Sequence, residues 1–124
     1  MTSFPAIYAT DLRAAVRFYE RLGFAQDYHF PEDDLGYFGL SRGTSRLGLV
    51  KRDWPEQQLG IRVGSEPRFE LWVYVEDVDA ILASLRVAGA SVLREAEDMP
   101  WGERIAHVAD PDGNPVVIAF RPSG

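Results

Sequence analysis

The chain has 124 residues, a net charge of −6, 46% hydrophobic and 26% charged residues, and no cysteine. That is one domain's worth of globular composition, and it excludes disulfides, thiolate metal sites and cysteine nucleophiles. The acidic balance argues against nucleic acid, whose phosphates need a basic surface. No apolar run approaches the roughly 18 residues of a membrane helix, and the start "MTSFPAIYATD" lacks the form of a signal peptide, so a cytoplasmic protein without a membrane partner is expected.

In chain order, "FPAIYA" reads as extended, and a helix follows from Asp11, whose carboxylate suits the free N–H groups and positive dipole end of a first turn. Leu12, Ala15, Val16 and Tyr19 recur at helical spacing as the buried stripe, and Gly23 stops the helix in the left-handed region. Strands are predicted at about 25–30, 36–42 and 46–51. The Gly- and Pro-punctuated stretch "RDWPEQQLGIRVGSEPR" reads as a linker. A second extended segment, "FELWVYV", then leads into a helix from Asp77 with the stripe Val78, Ile81, Leu82 and Leu85 and the stop Gly89. Strands follow at about 91–96, 103–109 and 115–121.

This order is a repeat. "YATDLRAAVRFYERLGF" aligns with "YVEDVDAILASLRVAGA" at an offset of 66 (77 less 11), pairing Tyr8 with Tyr74, Asp11 with Asp77, Ala14 with Ala80 and Gly23 with Gly89. The chain reads as two copies of one β-α-β-β-β module.

"DPDGN" spaces Asp110, Asp112 and Asn114 like the opening of a calcium loop. That pattern needs Gly at its sixth position and Glu at its twelfth, where this chain has Pro115 and Arg121. The stretch reads instead as a β-turn, with Pro111 presetting φ and Gly113 supplying a permissive backbone.

Two such modules resemble the vicinal oxygen chelate superfamily, which includes glyoxalase I, extradiol dioxygenases and bleomycin resistance proteins. The carriers are "DLRAAVRFYERLGF" and "PWGERIAHVADPDGNPVVI". The resemblance implies an α+β fold of two β-α-β-β-β modules whose curled mixed sheets form a concave trough. Residues 1–124 are then a single domain, made of module 1 (about 1–52), a linker (about 53–68) and module 2 (about 69–124). It also implies where the metal-dependent members carry their His, Gln or Glu ligands. Those positions hold Phe4, Glu70, Val117 and Gly48 or a neighbouring Leu, so one carboxylate remains of four ligands. A catalytic metal needs about three protein ligands, and no metal, cofactor or catalytic residue is expected. His29 and His107 are scattered.

With those ligand positions facing the trough, as the resemblance implies, strand alternation puts Phe4, Ala6, Tyr8, Glu70, Trp72, Tyr74, Ile105, His107 and Val117 there, with Tyr37 beside them, while Leu71, Val73, Val116, Ile118 and Phe120 face the core. Trp54 and Trp101 sit in loops, each suited to gating the trough or capping the core. Glu70 stands in an apolar segment where an unpaired carboxylate is costly to bury, and aromatic walls with a carboxylate suit flat cations. The expected ligand-binding residues are Phe4, Tyr8, Tyr37, Glu70, Trp72, Tyr74, Trp101 and His107. The expected function is non-catalytic binding of an aromatic, cationic, antibiotic-like molecule, as the bleomycin resistance branch implies. The alternatives are a glyoxalase- or dioxygenase-like metal-dependent enzyme and a structural or regulatory dimer without ligand. Exposed sheet edges favour a homodimer.

Overall fold

The computed structural model describes residues 3–31 and 36–123. It divides into two units, Met1–Ser65 and Glu66–Gly124. The first unit holds β1 (Ala6–Ala9), α1 (Leu12–Glu20), β2 (Ala25–Phe30), β3 (Tyr37–Arg42), β4 (Ser45–Lys51) and α2 (Asp53–Leu59). The second holds β5 (Leu71–Tyr74), α3 (Val78–Val87), β6 (Ser91–Asp98), β7 (Arg104–Ala109) and β8 (Pro115–Phe120).

The caps behave as their chemistry requires. The Ala14 N–H donates to Asp11 Oδ1 at 3.1 Å, and the Ala80 N–H donates to Asp77 Oδ1 at 3.0 Å. Gly23 and Gly89 follow the helices at φ 96° and 90°, where a β-carbon is strained. Leu12, Ala15, Val16, Phe18 and Tyr19 are the buried face of α1, and Val78, Leu82 and Leu85 that of α3. Tyr19 is fully buried, with Phe18 and Phe24 edge-on to its ring at 5.0 and 6.2 Å. Within the stretch read as a linker, Asp53–Leu59 forms α2. Pro55 falls in its first turn, where its missing N–H is harmless, and Gly60 ends it at φ 68°. Arg52 ties the stretch down, donating to Thr10 Oγ1 and to the Val63 carbonyl.

Each unit has one four-stranded mixed sheet, in the orders β1-β4-β3-β2 and β5-β8-β7-β6. The first strand runs parallel to the fourth, and the other neighbours are antiparallel. The expected curled sheets with a concave trough are not formed: neither sheet is closed or strongly curled. The register explains this. Its irregularities fall in the outer strands β2 and β6, so the added twist stays at an edge and the three remaining strands keep an unbroken ladder. Each sheet therefore has one face under its helix and one open face. Ile7, Phe38, Leu40, Leu47 and Leu49 are buried in unit one, and Val73, Ala106, Val108, Val116 and Ile118 in unit two.

The D-P-D-G-N stretch is the turn from β7 to β8. Asp110 is buried and spends its carboxylate on that turn, with Oδ1 accepting from the Asp112 and Asn114 N–H groups and Oδ2 from the Asn114 side chain, all at 2.9 Å.

Candidate functional site: the open faces of the two sheets

Cross-strand partners share a face, so the ladders show what each open face presents. In unit one the central row is Ala6, Gly48, Gly39 and Tyr28, flanked by Tyr8, Val50, Tyr37 and Phe30. Two adjacent glycines leave a bare patch of backbone, and aromatic rings cover it. A β-carbon on Gly48 would lie 2.8 Å from Tyr37 Oη, so the Tyr37 ring rests on that glycine. Tyr28 meets Tyr37 edge-on at 6.0 Å. Burial pushes the Tyr37 hydroxyl above its ordinary range. Phe4, Tyr8, Tyr28 and Phe30 remain exposed. Arg46 binds Asp27 with both nitrogens, at 2.8 and 3.2 Å, and its guanidinium stands 5.8 Å from the centre of the Phe4 ring.

In unit two the corresponding row is Trp72, Val117, His107 and Arg94, flanked by Tyr74, Ala119, Ile105 and Glu97. Val117 lies on the expected face, but it is wholly buried in a cluster with Ile105 and Ala119, against which Met99 packs. Trp72 and Tyr74 stand out from this floor, 38% and 44% exposed, with ring centres 6.3 Å apart. Glu70 is exposed rather than buried without a partner, and its Oε1 accepts from the Trp72 indole N–H at 3.0 Å. The desolvation cost expected for it does not arise, because the segment before β5 is open to water. His107 is half-buried, and its Nδ1 is enclosed without a hydrogen-bond partner.

The residue that sequence reasoning missed is Glu103. Only 4% exposed, it accepts from Tyr74 Oη at 2.8 Å, Trp101 Nε1 at 2.7 Å and Arg121 Nε at 3.1 Å. The Tyr74 hydrogen bond, seconded by those of Trp101 and Arg121, holds its carboxyl below the usual range, and the same bond pushes the Tyr74 hydroxyl up. Trp101 is thereby tethered by its nitrogen while its ring stays exposed. A signal was available: residues 103, 105 and 107 alternate along one strand, so Glu103 was countable onto the face of Ile105 and His107. Trp54 serves unit one differently, with its ring where a β-carbon on Gly36 would sit, 2.3 Å away.

The residues present do not fit the metal that the enzymes of the resembled family carry. Phe4 has no donor atom, the space beside Gly48 holds the Tyr37 ring, Val117 is sealed in an apolar cluster, and Glu70 is engaged by Trp72. His29 lies apart from the open face, opposite Phe38 in the ladder with its ring 6.1 Å away. Among the described residues, no three His, Cys, Asp or Glu side chains converge as a metal-holding group. No helix among them is long and apolar enough to cross a membrane.

Comparison with known proteins gives a consistent picture. The family described as the Glyoxalase/Bleomycin resistance protein/Dioxygenase superfamily matches residues 3–118. The Bacillus subtilis (strain 168) protein YraH is 26% identical over 119 residues, covering 90% of this chain and 91% of its own. A glyoxalase-related enzyme from Fulvimarina pelagi superposes with a TM-score of 0.81 at 28% identity, over 100% of this chain and 93% of the other. A glyoxalase/bleomycin resistance protein/dioxygenase family enzyme from Burkholderia phytofirmans PsJN superposes with a TM-score of 0.81 at 23% identity, over 97% and 98% of the two chains.

Proposed function

The chain belongs to the glyoxalase/bleomycin resistance protein/dioxygenase superfamily, and within it we propose that this protein is a non-catalytic binder of planar, cationic small molecules, in the manner of the bleomycin resistance branch. The observation that carries this reading is the Glu70–Trp72 hydrogen bond, which fixes an exposed carboxylate at the edge of the exposed Trp72–Tyr74 pair. The rings offer stacking surface, the carboxylate offers a counter-charge, and the bond orients both before any ligand arrives. Tethered Trp101 and half-buried His107 are the further candidates in unit two, and Phe4, Tyr8 and Tyr37 are the candidates on unit one's own face. A chain of net charge −6 attracts cations from a distance. The complete lack of cysteine suits a reducing, cytoplasmic setting. We take the working form to be a homodimer; a monomer by light scattering at micromolar concentration contradicts that.

The comparisons lean toward a second reading, a glyoxalase- or dioxygenase-like enzyme, because both solved structures named above are described as enzymes. Its residues are Glu70 and His107, whose enclosed Nδ1 is open to a new partner, with His29 a remoter candidate. One experiment separates the two. The protein is titrated with bleomycin and with a planar cationic dye, following tryptophan fluorescence, and its metal content is measured by elemental analysis. Saturable quenching with substoichiometric metal supports the binder. About one divalent metal per chain and no saturable response favours the enzyme.

A further inference from the structure

A cleft of about 250 Å³ lies between α1 and strands β2 and β3 of unit one, lined by Arg13, Val16, Arg17, Glu20, Gln26, His29 and Phe38. Its chemistry runs against the rest of the chain. In a protein of net charge −6, the exposed residues Arg13, Arg17 and His29 line it against one acidic residue, Glu20. That carboxylate is partly engaged, since Glu20 accepts from Gln26 Nε2 at 3.1 Å. Among the described residues, neither Arg13 nor Arg17 forms an ion pair.

The repeat supplies an internal control. At the offset of 66, Arg13, Glu20 and His29 correspond to Asp79, Arg86 and Glu95 of unit two. There the charges satisfy one another: Arg86 binds both oxygens of Glu95 at 2.6 and 2.7 Å, and Arg104 binds both oxygens of Asp79 at 3.1 and 3.0 Å. The same backbone arrangement is thus cross-linked by side chains in unit two and left cationic in unit one. Two arginines one helical turn apart repel each other unless an anion lies between them.

We propose that this α1–β2 cleft is a binding site for a small, doubly charged oxyanion, a phosphate or a dicarboxylate. Arg13 and Arg17 supply charge-assisted donors from the helix, His29 supplies a ring nitrogen from the strand, and Val16 and Phe38 floor the cleft. It lies on the helix-covered side of its sheet, so it is independent of the open-face ligand proposed above.

The test is calorimetric titration of the whole protein with inorganic phosphate and with succinate at constant ionic strength, using chloride as the control. Saturable binding of phosphate or succinate is expected, and the tighter of the two names the source. Losing two charge-assisted contacts in Arg13→Gln/Arg17→Gln should weaken it by about tenfold or more. Removing the repelling carboxylate in Glu20→Gln should tighten it, and Arg86→Gln, in the paired cleft of unit two, should leave it unchanged. The proposal is overturned if neither anion binds saturably, if the double variant binds like the parent, or if Arg86→Gln weakens binding as much as the double variant does.

Discussion

The two modules share a chain path and differ in the middle of their open faces. At equivalent ladder positions unit one has Ala6, Gly48 and Gly39, where unit two has Trp72, Val117 and His107. Unit one covers a glycine floor by laying the Tyr37 ring across it, whereas unit two fills the same floor with the side chains of Val117, Ala119 and Ile105 on that face. The exposed aromatics differ accordingly: Tyr8, Tyr28 and Phe30 stand on the face of unit one, Trp72 and Tyr74 on that of unit two. The lesson is that the repeat is held by caps, helix stripes and ladder register, which both copies share, while the open-face rows are free to diverge.

The strongest way to break the comparison is through what the copies should share. Leu49 and Ile118 occupy equivalent positions on β4 and β8, facing the helices, and both are fully buried. Leu49→Ala and Ile118→Ala should each cost about 2–5 kcal/mol by chemical denaturation, through lost transfer energy and a residual cavity. A large effect at one and a negligible effect at the other would mean that the copies do not carry equivalent cores.

A second measurement isolates what only unit two has. Because the folded state holds Glu103 below its ordinary range, the carboxylate contributes stability that is present above about pH 4.5 and is lost as the pH falls through the depressed value. Glu103→Gln should therefore lower the melting temperature at pH 7 and narrow its gap to the parent at pH 3. A constant gap across that range would show that the cluster with Tyr74, Trp101 and Arg121 is not held by charge.

How legible these features were in the sequence depended on their range. Asp11 and Asp77, the helix stripes, the glycine stops and the six later strands were readable because each is a local pattern of propensity and period. Glu103 was not recognised because its three donors come from β5, the loop before β7 and the residue after β8, which only the fold brings together. The cover of Gly48 by Tyr37 is likewise a ladder effect. The curled trough failed for a different reason: it was carried over from a resemblance, and curvature depends on where bulges fall, which alternation does not encode. Of the residues that alternation puts on the open face, Phe4, Tyr8, Trp72 and Tyr74 are exposed, whereas Ile105 and Val117 are buried.

The ligand prediction sharpens the difference between the two faces. Trp72→Ala should weaken binding of a planar cation by about tenfold, the scale of a lost stacking and cation-π contact. Glu70→Gln should weaken it less and leave a neutral planar analogue unaffected, because it removes charge while keeping an acceptor for the indole N–H. Equal loss for cation and neutral analogue would place the role of Glu70 in orienting Trp72 rather than in charge recognition.

The smallest expected effect lies in the feature the copies share most closely. Asp11 and Asp77 cap their helices with nearly the same geometry, at φ −113° and −140° with ψ 97° in both, and each accepts from the N–H three residues on. Replacing either by Ala should cost about 1 kcal/mol. The two losses should still differ, because α1 has no other acid in its first turn, whereas α3 has Asp79. An acid there complements the positive end of the helix dipole by a few tenths of a kcal/mol, so Asp77→Ala should be the milder change. Asp79 is also paired with Arg104, which draws its carboxyl toward the strand and holds it below the usual range. Denaturant midpoints for Asp11→Ala and Asp77→Ala, each with and without Arg104→Gln, separate the two demands on Asp79. If freeing Asp79 from Arg104 makes Asp77→Ala still milder while Asp11→Ala is unchanged, the acid backs up the cap; if neither loss moves, it serves only the strand.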